Sequence, residues 1–166
     1  MHRLWAPWRS EYVEAAGKGE AGGCFLCDYR EPGADDERHI LRRWARWYAV
    51  LNAYPYTNGH LMLVLGRHRE SFADLDLDEA AELASALASC ERALRAAYRP
   101  DGINLGVNMG RAAGAGALGH LHVHLVPRWN GDTNFMAAAA ETRVLPESLE
   151  RSYERLRAAW DAPGAP

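Results

Sequence analysis

The feature that most constrains the fold is an alternating run, His120-Leu121-His122-Val123-His124-Leu125-Val126. Because side chains alternate between the two faces of a β-sheet, the run predicts a strand with three histidines on one face and apolar residues on the other. At the rise of a strand, successive imidazoles would lie about 6–7 Å apart. Packing does not explain three of the chain's seven histidines at this period. Since imidazole serves as a metal ligand, a base or a nucleophile near neutral pH, the run predicts a functional site for metal binding or catalysis.

The order of the other predicted elements indicates the fold class. Strands are predicted at residues 39–43, 47–51, 61–65 and 103–109, with residues 120–127 as the last strand. A helix that begins with the capping pair Asp76 and Glu79 separates the third and fourth strands, and Pro146 opens a second helix. Because the strands do not alternate regularly with helices, we expect the α+β class, an antiparallel sheet with helices on one side.

Composition excludes several classes of protein. The length of 166 residues predicts a single domain over residues 1–166. The net charge of −3 argues against tight, non-specific binding to nucleic acid. It contains no apolar run long enough for a membrane span, and its N-terminal segment does not resemble a signal peptide. Three cysteines are too few for a disulfide scaffold, so we expect a reducing, cytoplasmic compartment.

Cys24 and Cys27 form a CxxC pair whose role the spacing leaves open. The pair could be a redox couple, half of a zinc site or a coincidence. A zinc site needs two further ligands, for which His68 and one histidine of the 120–124 run are candidates. A set of two cysteines and two histidines is closed and tetrahedral, which is typical of a structural ion.

Two segments that flank the histidine strand are candidate substrate sites. The loop from Asn108 to Gly119 is rich in glycine and alanine, so its backbone N–H groups could approach a phosphate closely. Arg128 and Trp129 follow the strand and could bind a phosphate and a base, respectively. A tryptophan that anchors the end of the sheet is an equal alternative for Trp129.

The histidine run resembles the His-φ-His-φ-His-φ-φ motif of the histidine triad superfamily of nucleotide hydrolases and transferases. Leu51-Asn52, Asn58-Gly59-His60-Leu61 and Pro127-Arg128 agree with this family, and the resemblance covers about residues 24–136. Residues 4–9 and 131–136 resemble the bacterial branch that includes diadenosine tetraphosphate phosphorylases. The resemblance implies an antiparallel five-stranded sheet with helices, paired in a homodimer. The N-terminal aromatic arm and the C-terminal helix would be extensions of this core.

The resemblance also implies an activity and its residues. His122 would attack the α-phosphorus of a nucleotide to form a nucleotidyl-histidine, and His124 would hydrogen-bond phosphate oxygens or the leaving group. The enzyme would be a dinucleoside polyphosphate phosphorylase or hydrolase. Magnesium could bind together with its substrate. The candidate substrate contacts are Asn52, His60, Asn108, Gly114, Ala115, Gly116, Arg128 and Trp129. Zinc-carrying members imply a structural zinc on Cys24, Cys27, His68 and His120.

The chain departs from the family pattern just before the triad. Gly116 and Ala117 stand near the positions where many members carry Gln and then Ser or Thr. Side-chain donors to the phosphate are therefore missing, and the backbone N–H groups of residues 114–116 would substitute for them. This loss favours an alternative function, a zinc-stabilised nucleotide-binding module with a regulatory role or no catalytic role, whereas the intact triad argues against it.

Aromatic residues near the ends of the chain predict a role in assembly. Trp5 and Trp8 lie in the N-terminal arm, which could pack on its own domain or on a partner subunit. Together with Trp160, they would help to form or cover the symmetric interface of a homodimer.

Overall fold

The computed structural model describes residues 23–132 and 146–162, so Trp5, Trp8 and residues 133–136 lie outside the described part. In chain order its elements are α1 (Phe25–Asp28), β1 (Ile40–Arg43), β2 (Trp47–Leu51), β3 (Leu61–Leu65), α2 (Leu77–Tyr98), β4 (Gly102–Gly106), β5 (His122–Arg128) and α3 (Leu149–Asp161). Short 3₁₀ turns occur at Phe72–Asp74 and Arg111–Ala113. Among these helices, none has the length and apolarity that crossing a membrane requires.

The strands form a five-stranded sheet in the order β1-β2-β3-β5-β4, and every neighbouring pair is antiparallel. This confirms the predicted α+β class and the five-stranded antiparallel sheet. The apolar strand β3 lies at the centre, where β5 pairs with it through Val64 opposite His122 and Met62 opposite His124. On its other side β5 pairs with β4, which forms one edge of the sheet.

The two faces of the sheet carry different clusters of buried side chains. Alternate residues of the three central strands, such as Leu63 and Leu125, pack against α2 and α3 in the main core. Residues of the opposite parity form a smaller cluster with α1, namely Leu26, Ile40, Tyr48, Val50 and Val64. Because His122 and His124 alternate with core residues of β5, they lie on the face away from α2 and α3.

The start of α2 confirms the predicted capping pair and also fixes the end of β3. The Asp76 carboxylate accepts the Glu79 N–H at 2.8 Å, and the Glu79 carboxylate accepts the Asp76 N–H at 2.9 Å. Glu79 also binds Arg67, with its Oε2 2.6 Å from Arg67 Nη2. Since Arg67 lies two residues after the end of β3, this ion pair holds the segment that leads to His68.

Trp160 belongs to the main core of the chain, so its predicted role at a dimer interface is wrong. Its side chain is 5% exposed, and its Nε1–H donates to Ser89 Oγ of α2 at 3.2 Å. Leu149, Tyr153 and Leu156 line the same face of α3 and pack against the main core. These side chains attach α3 to α2, and Trp160 is one of them.

Three predicted strands have boundaries that differ from those in the structure. The first strand begins at Ile40 because His39 has a φ of +55°, which is outside the extended region. The fourth strand ends at Gly106 rather than at residue 109. The last strand begins at His122 rather than at residue 120, because the Leu121 N–H donates to Arg69 O at 2.6 Å. His120 therefore stands outside the ladder, and only His122 and His124 form the predicted row.

Candidate active site and adjoining metal cluster

His122 is buried on β5, and its Nδ1–H donates to the carbonyl oxygen of His120 at 2.7 Å. Because a carbonyl only accepts hydrogen bonds, this contact places the proton on Nδ1 and leaves a lone pair on Nε2. Burial lowers the pKa of His122, opposed by the hydrogen bond to the His120 carbonyl. The side chain is therefore a neutral imidazole with a nucleophilic Nε2, oriented by its own backbone.

His124 lies next to His122, with ring centroids 5.0 Å apart, and is oriented by His60. The Tyr56 N–H donates to His60 Nδ1 at 3.1 Å, which requires the His60 proton to be on Nε2. His60 Nε2 lies 3.0 Å from His124 Nδ1, so His60 donates this bond and His124 accepts it. The proton of a neutral His124 is consequently on Nε2, where it can donate a hydrogen bond to a ligand.

Asn52 also borders this group of histidines. Its Oδ1 accepts the Tyr54 N–H at 2.9 Å, and its Nδ2 lies 3.5 Å from His60 Nε2. Gly106, the last residue of β4, pairs with His124, and Asn108 follows two residues later, beyond the end of the strand. The structure thus gathers Asn52, His60 and the two histidines of β5.

The glycine-rich loop has its own internal hydrogen bonds. The Gly114 N–H donates to Arg111 O at 3.0 Å, and the Ala115 N–H donates to Gly110 O at 3.4 Å. A phosphate that used both groups would have to replace these bonds, of which the Ala115 bond is the longer and weaker. The loop returns to β5 through Gly119, whose φ of +72° favours glycine.

Arg128 and Trp129 lie farther from the histidines than the sequence suggests. Arg128 is the fourth residue after His124 on β5, which corresponds to roughly 13 Å along the strand. The Arg128 guanidinium binds the Asp132 carboxylate through two nitrogens, one of them at 2.8 Å. Trp129 is half-buried and packs edge-to-face on Tyr98, with centroids 6.2 Å apart. The structure does not bring either side chain into contact with the triad.

The four predicted metal ligands converge at one end of the same face. Single ligand atoms of Cys24, Cys27, His68 and His120 all lie within 4.8 Å of one another. The Cys24 Sγ is 3.3 Å from His120 Nδ1, and the Cys27 Sγ is 3.4 Å from His68 Nδ1. A tetrahedral zinc with ordinary bond lengths separates sulfur and nitrogen ligands by about 3.5 Å, so the donor set and its spacing fit zinc.

A hydrogen bond from the His120 ring leaves one of its nitrogens able to bind a metal ion. Its Nε2–H donates to Leu65 O at 2.6 Å, so Nδ1 keeps the lone pair that faces the cysteines. His68 is exposed, but its ring packs closely on the chain at Gly119, where an added Cβ would lie 3.0 Å from His68 Nε2. Burial and the adjacent Cys24 raise the pKa of the Cys27 thiol to about 11. A bound cation would reverse this preference, because metal-bound cysteine is a thiolate.

Side chains from β1 and β2 hold the backbone around the cysteine pair. The buried Tyr48 hydroxyl donates to Leu26 O at 2.6 Å, between the two cysteines in sequence. Arg43 donates to Tyr29 O and Arg30 O, each at 2.8 Å, and binds the Asp35 carboxylate. These contacts fix the short helix α1 on the sheet.

Sequence reasoning missed these supporting groups for two different reasons. Tyr48 sits at an alternating strand position that predicts only burial, so nothing in the sequence indicates its hydrogen bond to Leu26. The backbone groups that orient the imidazoles, Leu65 O, His120 O and the Tyr56 N–H, leave no signal in residue types.

Comparison with known proteins agrees with this geometry. An AP-4-A phosphorylase of Mycobacterium tuberculosis is 36% identical over 167 aligned residues, covering 96% of this chain and 85% of that protein. A zinc-bound histidine triad family protein from Mycobacterium smegmatis has a TM-score of 0.64 at 27% identity, covering 82% of this chain and 91% of that chain. A hypothetical histidine triad nucleotide-binding protein from Sulfolobus tokodaii has a TM-score of 0.61 at 27% identity, with 81% and 89% covered.

The family match spans the sheet and the triad. Residues 35–131 match the HIT domain, which includes all five strands, His60 and the histidines of β5. Together with the identity to the mycobacterial relative, this match shows that the chain belongs to the histidine triad (HIT) family.

Proposed function

We propose that the protein cleaves dinucleoside polyphosphates by nucleotidyl transfer to His122. The observation that carries this proposal is the 2.7 Å hydrogen bond from His122 Nδ1 to the His120 carbonyl, which leaves Nε2 as the nucleophile. Membership of the HIT family and the likeness to a mycobacterial AP-4-A phosphorylase support the substrate class.

In the first step, His122 Nε2 attacks the α-phosphorus and the bond to the bridging oxygen breaks. The leaving nucleoside polyphosphate takes the electron pair of that bond. The imidazole becomes positively charged, and the His120 carbonyl stabilises the Nδ1–H of this intermediate. His124, with its proton on Nε2, donates a hydrogen bond to the bridging oxygen as negative charge develops there. Covalent catalysis divides one difficult displacement into two easier ones.

In the second step, an acceptor attacks the nucleotidyl group and frees His122. Phosphate as the acceptor gives a nucleoside diphosphate, whereas water gives a nucleoside monophosphate. The name of the mycobacterial relative favours phosphate. Asn52 would contact the ribose, Asn108 would line the pocket near His122, and backbone N–H groups of residues 114–116 would bind the phosphates, with magnesium accompanying the substrate. Arg128 and Trp129 would reach only the distal parts of a long substrate.

We also propose that Cys24, Cys27, His68 and His120 hold one structural zinc ion. The fit of their spacing to a tetrahedral ion supports this assignment, and a closed shell of four protein ligands leaves no position for an activated water. The ion would join α1 to the segment that follows β3, through His68, and to the segment that precedes β5, through His120. Thiol ligands of this kind persist in a reducing compartment, which supports a cytoplasmic location.

The homodimer remains a proposal, which the exposed edge of β4 supports. Leu105 on this edge strand is 59% exposed, and Met109 beyond it is 48% exposed. An edge strand with unpaired backbone groups and apolar side chains is a common site of association between identical chains. We propose that two copies meet along β4.

Replacing the nucleophile tests the proposed reaction. His122→Asn should lower kcat for diadenosine tetraphosphate by several powers of ten while nucleotide binding persists, because the covalent step is lost. His39→Asn is the matched control, since His39 packs on Tyr153 away from the triad and asparagine tolerates its positive φ. Product analysis with and without inorganic phosphate identifies the acceptor. Near-normal turnover by the His122 variant would contradict the mechanism, and nucleotide binding without any turnover by the native protein would favour the binding-module alternative.

The pH profile tests the state of His122. Attack requires the neutral ring, and burial lowers the pKa of His122 below the ordinary value of 6.5. The acid limb of kcat/KM should therefore have its midpoint below pH 6.5, with activity lost as the pH falls through it. A dinucleoside polyphosphate has no terminal phosphate that titrates in this range, so the acid limb of the profile reflects the titration of a group on the enzyme. A midpoint at or above 6.5 would contradict a buried, neutral nucleophile.

Elemental analysis and melting curves test the zinc site. Protein purified without added metal should contain one zinc per chain, and a strong chelator should lower its Tm. Cys24→Ser should lose the zinc, whereas Cys90→Ala should keep it, because Cys90 is buried in the main core. Less than a tenth of an equivalent of zinc, with a Tm that the chelator does not change, would rule the site out.

Sedimentation at micromolar concentration tests the assembly. We expect the mass of a dimer for the native chain and a shift towards monomer for Leu105→Glu, because a charge at the interface must be desolvated. Leu77→Glu is the control, since Leu77 is 89% exposed at the start of α2, away from the β4 edge. A native monomer, or equal behaviour of the two variants, would contradict association through β4.

A further inference from the structure

The segment that follows β3 carries the candidate metal ligand His68 and lies against both ends of the glycine-rich loop, residues 108–119. At the end of the loop, a Cβ added to Gly119 would lie 3.0 Å from His68 Nε2. Near its start, a Cβ added to Gly110 would lie 3.8 Å from Glu70 Oε1. One short stretch of chain therefore joins the candidate metal cluster to the loop.

The His68 ring lies between the cysteine pair and Gly119. Its Nδ1 is 3.4 Å from Cys27 Sγ, whereas its Nε2 is the atom nearest to the Cβ that Gly119 lacks. The ring also packs edge-to-face on His120, with centroids 5.2 Å apart and an interplanar angle of 82°. Gly119 has a φ of +72°, so glycine suits this position both in its backbone conformation and in the room that it leaves for the ring.

The two candidate histidine ligands differ in what holds them. His120 is buried, and its ring donates a hydrogen bond to Leu65 O that needs no metal ion. His68 is exposed, so solvent covers part of its ring and a bond from Nδ1 to a metal ion would restrict it further. A bound ion would therefore change the freedom of His68 more than that of His120, and the His68 ring would pass this restriction to Gly119.

The loop lies on the face of the sheet that carries His122. Ala117, within the loop, packs against the smaller cluster of buried side chains, which contains Val64. Val64 is paired with His122 between β3 and β5. The loop is thus on the side where the phosphates of a substrate of His122 would bind.

The composition of the loop makes its conformation costly to fix. Residues 110–119 include four glycines and four alanines, and glycine loses more backbone freedom on ordering than any other residue. Contacts that restrict the loop before a ligand arrives reduce the entropy that ligand binding must remove. A ring held firmly against Gly119 would therefore favour binding of a phosphate to this loop.

We propose that the contact of the His68 ring with Gly119 couples the metal cluster to nucleotide binding, with Gly119 as a positioning residue. Zinc bound to His68 fixes the end of the glycine-rich loop, so nucleotide binds more tightly, and by linkage bound nucleotide strengthens zinc binding. This inference rests on the proposed zinc site and the proposed nucleotide site. It gives the ion a role beyond the stability of the fold.

Two titrations of the native chain test the coupling. AMP is the probe, because it carries an α-phosphate but no phosphoanhydride bond to cleave. Its Kd is measured calorimetrically for the zinc-loaded and the chelator-treated chain. The Kd of zinc is measured by competition with a chromogenic chelator, with and without saturating AMP. Both affinities should rise by the same factor, about ten-fold, when the other ligand is bound.

Substitutions locate the coupling at the contact. Gly119→Ala keeps all four metal ligands but places a Cβ against the His68 ring, so it should weaken zinc binding and bring the coupling factor close to one. Gly131→Ala is the matched control, since Gly131 has a φ of +79° and no atom within 4 Å of an added Cβ. It imposes a similar backbone strain without meeting a ring and should keep the native factor.

The outcomes separate this inference from the proposals beneath it. Independent binding of zinc and AMP by the native chain overturns the coupling and leaves both proposed sites intact. A native chain that binds no zinc, or no AMP, overturns the coupling together with that proposed site. Equal loss of coupling in Gly131→Ala overturns the role of the His68 contact, because backbone strain would then be the cause.

A double-mutant cycle decides the question if the metal-free chain loses its fold by circular dichroism. The Kd of AMP is then compared among zinc-loaded chains. Gly119→Ala should weaken AMP binding about ten-fold in the native background and have little effect in His68→Ala, where no ring opposes the new Cβ. Equal weakening in both backgrounds overturns the proposal.

Discussion

The organisation of the site depends on the hydrogen bonds of His120. Its ring donates to Leu65 O at 2.6 Å, which aims Nδ1 at the cysteines, and its carbonyl accepts the Nδ1–H of His122 at 2.7 Å. One residue thus directs its side chain to the other candidate metal ligands and its backbone to His122, the proposed nucleophile. This double use is available because His120 lies just outside the β5 ladder, where its backbone is not committed to a neighbouring strand.

The central pairing of β3 with β5 supports both groups. The apolar faces of these strands are buried against α2 and α3, so a shift of one residue in register would move the histidines into the core. The two ends of β3 position two further histidines. His60 lies immediately before the strand and His68 lies shortly after it. A single hydrophobic constraint therefore positions His122, His124 and two candidate metal ligands.

Burial gives the histidines a chemistry that exposed histidines do not have. Low solvent access lowers the pKa of His122 and His120, which keeps these imidazoles neutral. Neutral rings have defined donors and acceptors, and the surrounding carbonyl and N–H groups then select one tautomer for each. His124 is one example. The Tyr56 N–H, on a turn outside the triad, binds His60, and His60 in turn binds His124, so the turn decides which nitrogen of His124 carries the proton.

Much of the sheet could be predicted from the sequence because its signals are local. Period-two alternation identified β5, an apolar run identified β3, and Asp76 with Glu79 identified the start of α2. Boundaries were less predictable. Residues 107–109 have no strand partner, and the Leu121 N–H binds Arg69 O, which no local pattern indicates. Trp160 was wrongly predicted at an interface because an aromatic stripe on a terminal helix does not show whether it covers its own core or a partner.

By itself, the sequence determined the fold class, the alternation that places His122 and His124 on one face, and a small set of candidate ligands. These follow from side-chain type and backbone period, which are properties of a segment. The tertiary structure alone decided that Cys24, Cys27, His68 and His120 converge, and which nitrogens of His120 and His124 carry protons. The reason is that each of these depends on groups distant in sequence, among them backbone carbonyls and N–H groups. Every residue has these groups, so only their positions in the fold distinguish one from another.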